Sequence, residues 1–138
     1  MSLILPRGRL QVAHEEDPRQ VLLNRVGDLS EMDLLYNQVL CAIYEMPKDA
    51  KTKGGLFIPE KTRDESLWQG KAMLVVKLGN TAFQDDEHFK FHGQRVDVGD
   101  WIVARAADGH MLELNSVPMR IYRDTHIIAK IPNPDYVW

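Results

Sequence analysis

Asp100–Ala107 (DWIVARAA) and His110–Asn115 (HMLELN) are separated only by Asp108-Gly109. Both runs carry apolar residues with a period of two, which is the signature of half-buried strands. Aspartate and glycine tolerate the positive φ angles of a tight two-residue turn, so the dipeptide predicts a hairpin between the two runs. A hairpin in the middle of the chain, with no helical pattern around it, sets the expectation of an all-β domain.

The same period extends outward from that hairpin. Gln38–Glu45 (QVLCAIYE) reads as a strand, and Trp68–Leu78 (WQGKAMLVVKL) as a long strand with apolar residues on both faces. Val117–Arg123 and His126–Ile131 are two further short strands. Short strands punctuated by turns, with no interleaved helices, predict a small barrel or sandwich. Closing the sheet removes most exposed edges, so a small, partly open barrel is expected over residues 37–131. Two segments break the pattern: residues 46–66, and residues 79–99 with the acidic run Asp85-Asp86-Glu87. Loops of this size are usually functional.

Residues 1–36 read as an N-terminal extension. Asp17 is placed to cap a helix, Pro18 suits its first position, and Gln20 can reach back to the cap. Val21, Leu22, Leu23 and Val26 give an apolar face, and Gly27 ends it. Ser30-Glu31-Met32-Asp33 predicts another short capped turn. Helices this short do not persist alone in water, so they must dock on the barrel or on another chain, or stay partly disordered. Residues 132–138 form a C-terminal tail ending in Tyr136-Val137-Trp138.

With 138 residues, 44% of them apolar and 27% charged, the chain can form one core without metal or disulfide staples, and it is neither disordered nor membrane-spanning. The start, Met1–Pro6, is too short for a signal-peptide core. The single cysteine, Cys41, cannot make an internal disulfide, which favours a reducing, cytoplasmic setting. A net charge of −3 lacks the basic footprint of a nucleic-acid binder.

The most informative loop reads Lys51-Thr52-Lys53-Gly54-Gly55-Leu56-Phe57-Ile58-Pro59. The glycine pair gives a permissive backbone. Leu56, Phe57 and Ile58 cannot all face one core. Burying each in a partner's groove stabilises by roughly 1.5–3 kcal/mol, less the cost of ordering the loop. The same residues also fit a short buried strand entered through a Gly-Gly turn. Lys48, Lys51, Lys53, Lys61 and Arg63 outweigh Asp49 and Glu60 around it, which suits a solvated loop steered toward an acidic surface.

A glycine pair, an apolar tripeptide and a proline resemble the mobile loop of the chaperonin-10 (GroES-type) co-chaperonins. Other segments follow in family order. Gln38–Ile43 is similar to the first barrel strand, Gly70–Val76 to the strand after the mobile loop, and Gly79-Asn80 to the turn that ends it. Val98-Gly99-Asp100-Trp101-Ile102-Val103 is similar to the family's Val-Gly-Asp turn, and Met119–Ile131 to its last two strands. The resemblance covers about residues 37–131; residues 1–36 have no counterpart in it.

The resemblance implies a partly open barrel assembled as a seven-membered ring that caps a nucleotide-bound chaperonin. Gly54 and Gly55 become a hinge, and Leu56, Phe57, Ile58 and Pro59 the docking segment. Val39, Leu40, Cys41, Ala42 and Ile43, with Ile127, Ile128, Ala129 and Ile131, become subunit-interface residues. Residues 84–94 fall where the family has its roof hairpin. A second expectation uses the same barrel in a bacteriophage virion, as a capsid cement or head–tail protein, with the loop inserted into a neighbouring capsid or tail subunit. Arms at both chain ends motivate it.

No catalytic motif is present: no phosphate loop, nucleophile elbow, zinc-protease helix or dinucleotide fingerprint. No enzyme activity and no cofactor are expected. His88 and His92 have a helical metal-ligand spacing, with Asp85, Asp86 and Glu87 nearby, but Phe89, Phe91 and Gly93 suggest an irregular polar loop. Cys41, among apolar neighbours, is expected to be an inert packed residue.

Overall fold

The computed structural model describes residues 16–44 and 72–137. The elements are helix α1 (Pro18–Val26) and strands β1 (Gln38–Ile43), β2 (Met73–Leu78), β3 (Trp101–Val103), β4 (His110–Leu114), β5 (Val117–Arg123) and β6 (Ala129–Ile131). The strands form one six-stranded sheet in the order β4-β5-β1-β2-β3-β6, and every neighbouring pair is antiparallel. The sheet is open, with β4 and β6 on its outer edges. This is the small all-β fold expected from the sequence.

β1 is apolar from Val39 to Ile43 and is buried there on both faces. Leu40 and Ala42 point into a cluster with Leu74, Val76, Trp101, Val117 and Met119. Val39, Cys41 and Ile43 point into a second cluster with Met73, Val75, Ile102 and Tyr122. Between Leu40 and Cys41 the register with β2 shifts, so that Val76 is the extra residue of a bulge. That bulge lets the six residues of β2 stay paired with the five residues Val39–Ile43 of β1.

α1 covers the first cluster. The Asp17 carboxylate accepts from the Arg19 N–H at 3.1 Å, Pro18 occupies the first turn, and the Gly27 N–H closes on the Leu23 carbonyl. The buried side of the helix is Leu22 and Val26 with Leu23 partly covered; Val21 lies outside it. Gln20 does not reach back to the cap but donates to Asn24 Oδ1 at 2.9 Å. In the next turn Asp28 does the capping, accepting from the Ser30 N–H at 2.9 Å. Two long-range bonds fix the helix end: Asn115 Nδ2 donates to the Val26 carbonyl at 2.6 Å, and Lys77 Nζ to the Leu29 carbonyl at 2.7 Å.

The Asp108-Gly109 hairpin is not formed. β3 pairs with β2 and β6, never with β4. Ala106–Asp108 is a single 3-10 turn, and Gly109 is extended at φ −101°. The hairpin lies one strand later, between β4 and β5, where Leu114 opposes Val117 across Asn115 and Ser116, both left-handed at φ 52° and 62°. Gly109 is required by packing instead: a Cβ there would sit 2.7 Å from Tyr122 Cζ and 3.0 Å from Arg120 Cβ.

Two substitutions separate these roles. Ser116→Gly relieves a left-handed non-glycine residue and should stabilise the fold by about 1 kcal/mol. Gly109→Ala should destabilise it by about 1–3 kcal/mol through overpacking against Tyr122. Thermal unfolding of both variants checks the pair.

Candidate functional site

The candidate docking residues Gly54, Gly55, Leu56, Phe57, Ile58 and Pro59 lie outside the described residues. The base that carries them is described. The Tyr44 N–H donates to the Ala72 carbonyl at 3.1 Å, so the connection leaves β1 and rejoins β2 through a closed, paired neck. Tyr44 is buried there and packs edge-on against Trp101, with ring centroids 5.7 Å apart. Burial raises the Tyr44 phenol well above its ordinary range, and the Asp135 carboxylate adds to this through its charge and a hydrogen bond. The C-terminal tail thereby helps to pin the neck.

Residues 79–99 form a lobe held by carboxylates rather than by strands. Asp124, buried after β5, accepts from Asn37 Nδ2 at 3.1 Å and from the Phe83 N–H at 3.0 Å. Its own N–H donates to the Asn37 carbonyl at 2.9 Å. One side chain thus joins the entry to β1, the lobe and the turn before β6. Within the lobe, Asp86 Oδ1 accepts from the His88 and Phe89 N–H groups at 2.7 Å each, and Asp85 Oδ1 from the Phe91 N–H at 2.7 Å. Those two backbone bonds, His88 first, hold the Asp86 carboxyl below its ordinary 3.8. Phe91 lies between two other rings, edge-on to Phe83 at a centroid distance of 5.6 Å and tilted against Phe89 at 4.7 Å. Of the three carboxylates that suggested metal binding beside His88 and His92, Asp85 and Asp86 accept from the backbone. Among the described residues no group of three or more His, Cys, Asp or Glu side chains is placed to hold a metal ion.

Between the lobe and β6 runs a groove of about 530 Å³, floored by Phe83, Phe91 and Ile127. Of the interface candidates, Ile127 packs on the second cluster, Ile131 is buried in the first, and Ile128 and Ala129 are exposed. Among the described residues β6 pairs with β3 on one side and with no strand on the other. Val39, Leu40, Cys41, Ala42 and Ile43 are placed differently. All five side chains are inaccessible and both edges of β1 are occupied, by β2 and β5, so they have no group to offer a neighbouring subunit. A wholly apolar strand fits an interface or a sheet centre equally well from sequence; here it is the centre. Burial pushes the Cys41 thiol up to about 12, which leaves it a packing residue.

Arg120 escaped the sequence reading. It is buried on the same face of β5 as Tyr122, with Nη1 4.0 Å from Met73 Sδ. Burial raises the Tyr122 phenol and the Arg120 charge opposes the rise. Strand alternation in Val117–Arg123 is the one signal that could have placed a cation inward.

The family model for the chaperonin 10 kDa subunit matches residues 31–131. The chain therefore belongs to the chaperonin-10 family. The family supports a co-chaperonin-type role in general: its members partner a chaperonin, assemble into oligomers and are non-enzymatic. No curated protein matches the chain. Among the described residues no helix is long and apolar enough to cross a membrane.

Two measurements test the lobe. Asp124→Ala should destabilise the chain by about 2–4 kcal/mol, because it orphans the donors of Asn37 and Phe83 at once. In an NMR titration, Asp86 in the folded protein should titrate below 3.8. Its contribution to stability is then complete above the unfolded value and disappears as pH falls through the folded one.

Proposed function

We propose that this chain is the subunit of a ring-shaped lid that closes a nucleotide-bound chaperonin and assists protein folding. Gly54 and Gly55 act as the hinge of the docking segment. Leu56, Phe57 and Ile58 are the side chains that enter the chaperonin, and Pro59 limits the exit. The family match across the whole stretch from β1 to β6 is the observation that carries this reading. The closed neck at Tyr44 and Ala72 supports it, because a paired base gives an apolar tripeptide a fixed origin.

In this reading residues 37–131 are the barrel unit, residues 1–36 an extension and residues 132–138 a tail. The unpaired edge of β6, with Ile128 and Ala129, is the subunit contact. Ile127 and Ile131 back it from the core. The lid does no chemistry and needs no cofactor. It acts by binding the closed state of the chaperonin more tightly than the open state, which is all a ligand needs to shift that equilibrium. The site of action is the cytoplasm of a bacterium or of a phage-infected host.

Purified protein should co-sediment with a chaperonin in the presence of nucleotide, and Phe57→Asp should abolish this while leaving the circular dichroism of the chain unchanged. Undiminished binding by Phe57→Asp rejects the docking segment. Stoichiometric recovery in purified virus particles, with no chaperonin binding, points instead to a capsid or head–tail component.

A further inference from the structure

The connection that carries the docking segment starts at Tyr44, and three contacts meet there. The Tyr44 N–H closes the neck on the Ala72 carbonyl, the ring packs edge-on against Trp101, and the hydroxyl hydrogen-bonds to the Asp135 carboxylate. The first two contacts lie within the sheet. The third reaches the C-terminal tail, which lies beyond the span that matches the family. Tyr44 is 5% exposed, so its hydroxyl has given up water and depends on that acceptor.

The tail is shaped to present that carboxylate. Ile131, the last residue of β6, opposes Trp101 in β3 and is buried in the same cluster as Tyr44 and Trp101. Between Ile131 and Asp135 stand Pro132, Asn133 and Pro134. Each proline fixes its own φ, so this stretch loses little backbone freedom on ordering. Asn133 Oδ1 accepts from the Asp135 N–H at 3.1 Å, an Asx turn at the start of the 3-10 turn Pro134–Val137. Pro134 is buried and Asp135 half-buried. A short, stiff tether anchored at Ile131 therefore holds the carboxylate at the neck. A hydroxyl-to-carboxylate bond is charge-assisted and stronger than a neutral one.

We propose that the C-terminal tail is a latch on the neck: Asp135, by accepting from the Tyr44 hydroxyl, is a positioning residue that holds the base of the docking segment closed and so raises the affinity of that segment for the chaperonin. The inference rests on the docking role proposed above and adds its control. Asp135 acts through Tyr44 and not by touching the chaperonin. With the latch made, binding has to order only the residues beyond the neck. With it broken, the pair between Tyr44 and Ala72 opens more often, and binding must also order both strand ends.

Amide hydrogen exchange and nucleotide-dependent chaperonin binding, both measured on the full chain, test this. Tyr44→Phe keeps the ring against Trp101 and removes only the hydroxyl; Asp135→Ala removes the acceptor. Each should speed exchange of the amide at position 44 at least tenfold and weaken chaperonin binding at least fivefold. The double variant should be little worse than either single one, because both remove the same bond. The melting temperature of Tyr44→Phe should stay within a few degrees of the unaltered chain while its binding falls, a split that a merely structural role would not produce. Unchanged exchange at position 44 in both variants overturns the latch. Faster exchange with undiminished binding overturns the positioning role and leaves the lid reading standing. An unaltered chain that binds no chaperonin overturns the lid reading and the positioning role together.

Discussion

The fold depends on the double burial of β1. Five consecutive residues, Val39 to Ile43, alternate between two apolar clusters, while β2 and β5 take both hydrogen-bonding edges. A slip of one residue would send every side chain to the opposite face, so the register is tightly specified. Small residues sit where the faces are crowded: Ala42 opposes Leu74 and Met119, and Cys41 opposes Val75. The bulge at Val76 then gives the sheet its bend without breaking that register. The long connection that carries the candidate docking segment leaves from the end of this strand.

Asp124 extends the same rigidity to the surface. A buried carboxylate is costly unless its lone pairs are satisfied, and here Asn37 Nδ2 donates to one oxygen and the Phe83 N–H to the other. The result is that the lobe, the entry to β1 and the approach to β6 move as one body. Carboxylate-to-backbone bonds at Asp85 and Asp86 shape the lobe without any strand pairing, which explains how a polar, irregular segment can hold three phenylalanine rings in edge-on and tilted contact.

Local chemistry was legible in the sequence and long-range contacts were not. Asp17-Pro18 and Gly27 mark α1 because capping is settled within a turn of the chain. β1 and β2 show as continuous apolar runs because both of their faces are covered, and β4 alternates because only one face is. The hairpin was misplaced for a related reason. Asp108-Gly109 is the stronger turn pair taken alone, but Gly109 answers to Tyr122 across the sheet, and the weaker pair Asn115-Ser116 makes the turn. The interface reading of Val39–Ile43 failed to separate an apolar strand at a subunit boundary from one at a sheet centre; only the partners on both sides decide that. The lobe was recognisable as non-strand, yet its carboxylate bonds span up to six residues and leave no periodic trace.

The isolation of Cys41 has a practical consequence. The chain holds one thiol, shielded in the centre of the sheet and protonated at any physiological pH. Alkylating reagents should therefore meet a silent background in the native protein, so a cysteine engineered anywhere on the surface can carry a fluorophore or spin probe with no need to remove the natural one. The same sulfur becomes reactive only when the sheet itself comes apart, which makes its labelling rate a built-in clock for opening of the core.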